Sequence, residues 1–155
     1  MPEENRFEDS FAVEGGNFRA AGNVSGKIKR ILKSIGINDN VVRRVAIVTY
    51  EAEINIVSYA RKGRIVISVR PDLVQVEAID EGPGIEDIEL AMQEGWSTAT
   101  AQVREMGFGA GMGLANMKKY SDAFNIDSKP GLGTCVKMQV FNLEKMLQPD
   151  YWLKI

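Results

Sequence analysis

From Met106 to Lys119 the chain reads "MGFGAGMGLANMKK", with glycine at every second position: Gly107, Gly109, Gly111 and Gly113. No regular element tolerates that density. An unfolded glycine has more conformations to lose than any other residue, and inside a helix or strand each one costs about 0.5–1 kcal/mol relative to alanine. The stretch is therefore a loop whose backbone has to stay bare, and it runs directly into "LANMKKYSD", which is compatible with a helix. Glycine-loop N–H groups followed by the positive end of a helix form a ready site for phosphate-like oxygens. The two commoner phosphate fingerprints are missing: there is no G-x-x-x-x-G-K-[ST], and these glycines do not align to G-x-G-x-x-G. A flexible connector has the same composition. The segments around the loop must decide between the two.

Those segments describe a mixed helix and strand chain. "RFEDSFAVEG" reads as a first strand. Residues 18–35 read as a helix weakened by Gly22 and Gly26 and stopped at Gly36. Asn38 or Asp39 caps a second helix through about Ala60, whose apolar residues Val41, Val45, Val48, Ala52, Ile56 and Ala60 recur every three to four positions and line one face. "RIVISV" and "LVQVEAID" pair as strands across "RPD", and "FNIDS" and "TCVKMQVF" pair around "KPGLG". The order implies an α+β fold with mostly antiparallel strands covered by helices on one side. At 155 residues, without repeat, linker or low-complexity segment, residues 1–155 are expected to form a single domain.

Two further sites stand out in this frame. Glu51 and Asn55 lie four apart on the second helix, so an acid and an amide leave the same face beside the apolar stripe. Taken alone, such a pair is most simply a solvated polar face. Along the strand that follows, Val74, Val76, Ala78 and Asp80 share one side, so a carboxylate ends an apolar row. A buried carboxylate needs a partner. The chain then turns through Gly82, Pro83 and Gly84, where the backbone has room to approach another group; an ordinary Asp-rich turn is the competing account.

Composition removes several classes of function. Histidine is absent, which rules out serine-histidine and cysteine-histidine nucleophiles and histidine-ligated zinc. Nineteen basic residues against twenty-one acidic leave a net charge of −2, so no basic face for nucleic acid is evident. Cys135, the single cysteine, has no internal disulfide partner. "MPEENRFEDS" is acidic where a secretory signal is basic and then apolar, and no apolar run approaches the roughly 18 residues of a membrane span. A cytoplasmic location without membrane attachment is expected.

An Asn-bearing helix, then Asp-x-Gly-x-Gly after a strand, then a glycine loop before a helix, then "GLGT" before a last strand: in that order, over about residues 38–140, the chain resembles the GHKL ATPases. "EAEIN", the spacing of Asn55 and Tyr59, and "EGWSTA" make it most similar to the anti-sigma-factor serine/threonine kinases of the switch-kinase type. The resemblance implies a two-layer α/β sandwich of the GHKL (Bergerat) type, with a mixed, mostly antiparallel sheet, binding ATP and Mg²⁺. It implies that Asp80 accepts a hydrogen bond from the adenine amino group, that Gly82 and Gly84 shape the turn with Gly84 leaving space for the ring, and that Thr134 completes the contact through its hydroxyl or a water. Asn55 would give an oxygen to Mg²⁺, which typically takes few protein ligands. Glu51 would take or orient the proton of an incoming hydroxyl. Gly107, Gly109, Gly111 and Gly113, with Leu114 after them, would cradle the triphosphate. Arg104 stands where the family places an arginine at the γ-phosphate, though a solvent-facing arginine fits equally. Tyr59 replaces a frequent histidine and is expected in the core or pocket wall.

Three functions are compatible with this pattern. The first is a protein serine/threonine kinase acting on a regulatory partner, an anti-anti-sigma-like domain or a sigma factor. The second is a nucleotide-gated regulator that binds its partner without phosphotransfer. The third is a detached histidine-kinase catalytic domain, whose acceptor would lie on another chain. A homodimer is compatible with all three. The tail "NLEKMLQPDYWLKI" could dock a partner, but such tails more often pack on their own domain.

Overall fold

Alternating apolar and polar residues build one five-stranded sheet, and the period-3.6 stripe of residues 39–59 builds the helix that covers it. The computed structural model describes residues 7–93, 95–96, 112–148 and 150. In chain order these form β1 (Phe7–Glu14), a 3₁₀ turn (Phe18–Ala20), α1 (Asn23–Ser34), α2 (Asp39–Tyr59), β2 (Lys62–Val69), β3 (Leu73–Glu81), the short α3 (Ile88–Ala91), α4 (Gly113–Tyr120), β4 (Ala123–Lys129), β5 (Gly133–Phe141) and the short α5 (Leu143–Met146). The strand order is β1-β2-β3-β5-β4. All four pairings are antiparallel, so the sheet expected to be mixed has no parallel pair among the described residues.

Among the described residues, the sheet is covered on one face only. Ile65, Ile67, Val69, Val74, Val76, Ala78, Val136, Met138 and Val140 point to that face and meet Val41, Val45, Val48, Ala52 and Ile56 of α2, Ile28 and Leu32 of α1, and Met117 of α4. The alternate positions, among them Arg64, Gln75, Glu77, Lys137 and Gln139, are exposed or half-buried. This is the two-layer α+β sandwich that the strand and helix pattern implied. Burying about ten branched aliphatic side chains at about 1.5–3 kcal/mol each is the main source of cohesion between the layers.

Polar clamps fix how the layers meet. Asn38 caps α2 by accepting the Asn40 N–H at 2.8 Å, as expected, and its Nδ2 donates to Glu144 Oε2 at 2.9 Å, tying α5 to the start of α2. Arg44 donates from Nη1 to Asp122 Oδ2 at 2.9 Å and from Nη2 to the Phe141 carbonyl at 3.0 Å, joining α2 to the beginning of β4 and the end of β5. The first half of residues 18–35 departs from the continuous helix expected there. The chain makes a 3₁₀ turn, and Gly22 takes a φ of +94° before α1 begins. That left-handed residue re-aims the backbone so that the N–H groups of Val24 and Ser25 reach the carboxylate of Glu53 on α2, at 3.1 and 3.0 Å. Glu53 is only 1 % exposed.

Candidate functional site

Residues 51 and 55 leave α2 beside its core stripe, and both open into a cavity of about 670 Å³ between the helical layer and the ends of β3 and β5. α2 contributes Glu51, Ile54, Asn55, Ser58 and Tyr59; β3 contributes Ala78 and Asp80; β5 contributes Thr134 and Val136; the start of α4 contributes Gly113, Leu114 and Met117. Pro83, Gly84, Ile85 and Leu90 close one side, with Tyr50 and Trp96 at the rim. The structure thus brings Glu51, Asn55, Asp80, Gly84, Gly113, Leu114 and Thr134 to one cavity. Tyr59 is in its wall. Arg104, Gly107, Gly109 and Gly111 lie outside the described residues, as do Ser97 and Thr98 of "EGWSTA" and Tyr151 and Trp152 of the tail.

At one end Asp80 closes the apolar row of β3. One step beyond the pair Ile79↔Cys135, Asp80 and Thr134 come opposite each other, and the Thr134 N–H donates to Asp80 Oδ1 at 3.2 Å. Burial pushes the Asp80 carboxyl above its ordinary range, and the N–H groups of Thr134 and Gly82 partly offset that by favouring the charged form. Gly82 is outside the cavity wall and acts on it through Asp80: a Cβ there would stand 2.9 Å from Asp80 Oδ1 and 3.2 Å from Ala60 Cα. Gly84 lines the cavity, with φ +72°, and a Cβ on it would strike the Lys129 carbonyl and come within 2.9 Å of Pro130 Cα. Its bareness lets the loop after β3 lie on the β4–β5 turn. The same contact is held by the Gly131 N–H donating to the Pro83 carbonyl at 2.7 Å.

At the other end the first turn of α4 lies against α2. A Cβ on Gly113 would be 3.1 Å from Asn55 Oδ1 and 3.4 Å from Glu51 Oε2, so a side chain there would crowd the Asn55 amide and touch the Glu51 carboxylate. Asn116, one turn later on α4, donates from Nδ2 to Glu51 Oε1 at 3.2 Å and fixes that carboxylate's direction. Asn116 was not singled out from the sequence, although its spacing of three from Gly113 places it on the same face. Ser128 was missed as well, and nothing local marks it. Its Oγ accepts the Ile85 N–H at 2.8 Å and lies 2.8 Å from Thr134 Oγ1.

The N-terminus of a helix with an acidic side chain and an amide oxygen on one side of the cavity, and a hydrogen-bonded carboxylate on an apolar floor on the other, suit a ligand with an anionic end and a flat polar end. The class of protein built this way is the histidine kinase-like ATPase domain. The family model of that description matches residues 17–140, and the chain belongs to that family. Among individual relatives, it is 38% identical over 93 residues to an anti-sigma F factor of Caldanaerobacter subterraneus, spanning 57% of this chain and 62% of that one. An anti-sigma F factor of Thermoanaerobacter is 45% identical over 65 residues, 42% of each chain. The serine/threonine-protein kinase RsbT of Bacillus subtilis is 33% identical over 110 residues, 68% of this chain and 77% of that one. The match spans 42% to 62% of the length of these two anti-sigma F factors. No helix of the described residues is long and apolar enough to cross a membrane.

Proposed function

We propose that this chain is a cytoplasmic, single-domain protein serine/threonine kinase of the anti-sigma regulatory type, which transfers the γ-phosphoryl group of ATP to a serine or threonine of a regulatory partner protein. One observation carries the reading: Glu51, oriented by Asn116, stands beside Asn55 and the start of α4 in the same cavity whose far end is the Asp80–Thr134 pair. The two ends match the two ends of a nucleoside triphosphate. The run of α2 from Tyr59 to Glu51 is about 12 Å at about 1.5 Å per residue, which suits the reach from a purine to its terminal phosphate. Family membership and the names of the relatives support the same reading.

In this assignment the adenine amino group donates to Asp80 and Thr134, and Ala78, Val136 and Met117 pack on the ring. The triphosphate extends toward the N–H groups that open α4, and Gly107, Gly109 and Gly111, with Arg104, are assigned to bind it. The oxygen donor beside the triphosphate end, Asn55 Oδ1, fits a hard cation, and the bare Gly113 leaves it uncovered. When bound there, Mg²⁺ supplies charge neutralisation to the phosphate oxygens. Glu51 accepts the proton of the partner's hydroxyl as that oxygen bonds to the γ-phosphorus; the bond from the γ-phosphorus to the β–γ bridging oxygen breaks, and ADP leaves.

The test is incubation of the chain with labelled ATP, Mg²⁺ and candidate regulatory domains from the same cell, followed by mapping of labelled residues. Glu51→Gln is expected to slow transfer by about 100- to 10,000-fold with ATP affinity nearly unchanged. Transfer at the parental rate removes Glu51 from this role. Tight, nucleotide-dependent partner binding without any labelled residue would favour the regulator that binds without phosphotransfer, as the anti-sigma names of the relatives allow.

A further inference from the structure

We propose that Ser128 is a positioning residue that sets nucleobase selectivity: by taking the hydroxyl proton of Thr134 it leaves the cavity floor with acceptors only, so that a base bearing an exocyclic amino group is preferred to one bearing a carbonyl there. The proposal rests on the reading of the cavity as a nucleotide site.

A serine hydroxyl has one proton and two lone pairs. Ser128 Oγ meets three groups: the Ile85 N–H at 2.8 Å, the Gly133 carbonyl at 3.2 Å and Thr134 Oγ1 at 2.8 Å. The N–H only donates and the carbonyl only accepts. Ser128 therefore gives its proton to Gly133, uses one lone pair on Ile85 and turns the other to Thr134, which must be the donor. The reverse assignment would face a Ser128 lone pair against the Gly133 carbonyl oxygen and waste that contact. With its proton committed, Thr134 Oγ1 presents only lone pairs to the cavity. Its neighbour Asp80 already accepts the Thr134 N–H and, ionised, has only acceptor sites left. Two acceptors side by side match the two N–H bonds of an amino group and repel a carbonyl oxygen. Without the Ser128 hydroxyl, the Thr134 O–H is free to rotate and donate into the cavity, and that discrimination weakens.

Calorimetric titration of the full chain, with Mg²⁺, against ATP and against ITP tests this, because ITP places a carbonyl where ATP has its amino group. The parent is expected to bind ATP at least about tenfold more tightly than ITP. Ser128→Ala is expected to narrow that ratio about five- to tenfold, and Ser128→Thr, which keeps the hydroxyl, to restore it. Should the alanine variant fail to fold, Ser128→Cys, with a sulfur that is a poor acceptor, is expected to narrow the ratio in part. An unchanged ratio in a folded Ser128→Ala or Ser128→Cys variant, even with both nucleotides weakened equally, overturns the proposal and leaves Ser128 a structural residue of the loop. If neither nucleotide binds the parent chain, the nucleotide reading itself falls, and this proposal with it.

Discussion

Asp80 shows at the residue scale how function and stability oppose each other. Its burial raises its carboxyl pKa, so the folded chain holds this proton to a higher pH than the unfolded chain does. Between the unfolded value, about 3.9, and the raised folded value, the folded state binds more protons, so stability falls as pH climbs through that window and the whole cost persists above it. Asp80→Asn keeps an oxygen for the Thr134 N–H but removes the charge. It is expected to leave the chain equally or more heat-stable at pH 7.5, with the advantage gone in acid below the unfolded value. ATP affinity is expected to drop about 10- to 100-fold, because an amide N–H₂ then faces the base. Melting curves at both pH values and calorimetry check both halves; a variant that melts lower at neutral pH without ligand contradicts the burial argument. Asp80 was legible because strand alternation puts it at the end of Val74, Val76 and Ala78. Asn116 matters through a partner 65 positions away, and Ser128 joins Thr134 across the β4–β5 turn to a loop 43 positions earlier, contacts that no residue pattern of either segment exposes. Gly84 was legible as a bare position, but its close neighbour is the β4–β5 turn.

Among the elements, α2 organises both the core and the site. Its stripe from Val41 to Ile56 packs on the sheet, Glu51 and Asn55 enter the cavity, and Glu53 turns the other way to hold the start of α1. Periodicity showed the first of these roles and put Glu51 and Asn55 on one face, but it did not show that this face opens into a cavity. The third was hidden, because a glutamate inside "EAEINIVSY" gives no sign that it ends in the core until a helix 28 residues earlier offers it two N–H groups. The same contact explains why residues 18–35 do not form one helix: Gly22 breaks the line so that Val24 and Ser25 can reach the carboxylate. Removing Glu53 leaves two buried donors without an acceptor at about 1–3 kcal/mol each. Glu53→Ala is therefore expected to lower the unfolding free energy by about 2–6 kcal/mol, read as a fall in the urea midpoint, and Glu53→Gln, which keeps one acceptor oxygen, to lose less. An alanine variant with the parental midpoint would show that the cap contributes nothing.

Across the whole molecule, the sequence pattern sufficed for the α+β class, both hairpins and the covered face, because each follows from local alternation or period. It did not give the strand order, in which β5 inserts between β3 and β4 and every pair is antiparallel, since that depends on which strand edges meet. Strand order is what assembles the cavity: Glu51 and Asn55, Asp80 and Gly84, Gly113, and Thr134 lie on four separate segments and come together only in the folded chain. A ligand held by all four binds the folded state and has no counterpart site when the chain is unfolded. Stability must then rise with ligand as RT ln(1 + [L]/Kd), about 2.7 kcal/mol at a hundredfold excess over Kd. For a chain of this size each kcal/mol moves the midpoint by about 2–4 °C, so saturating ATP with Mg²⁺ is expected to raise Tm by about 5–11 °C and to keep raising it with the logarithm of concentration. Chelation of the cation should remove part of the shift, and adenosine should give less than ATP because it leaves the Glu51–Asn55 end empty. A melting curve unmoved by millimolar ATP and Mg²⁺ would mean that the four segments do not share a nucleotide, whatever each resembles by itself.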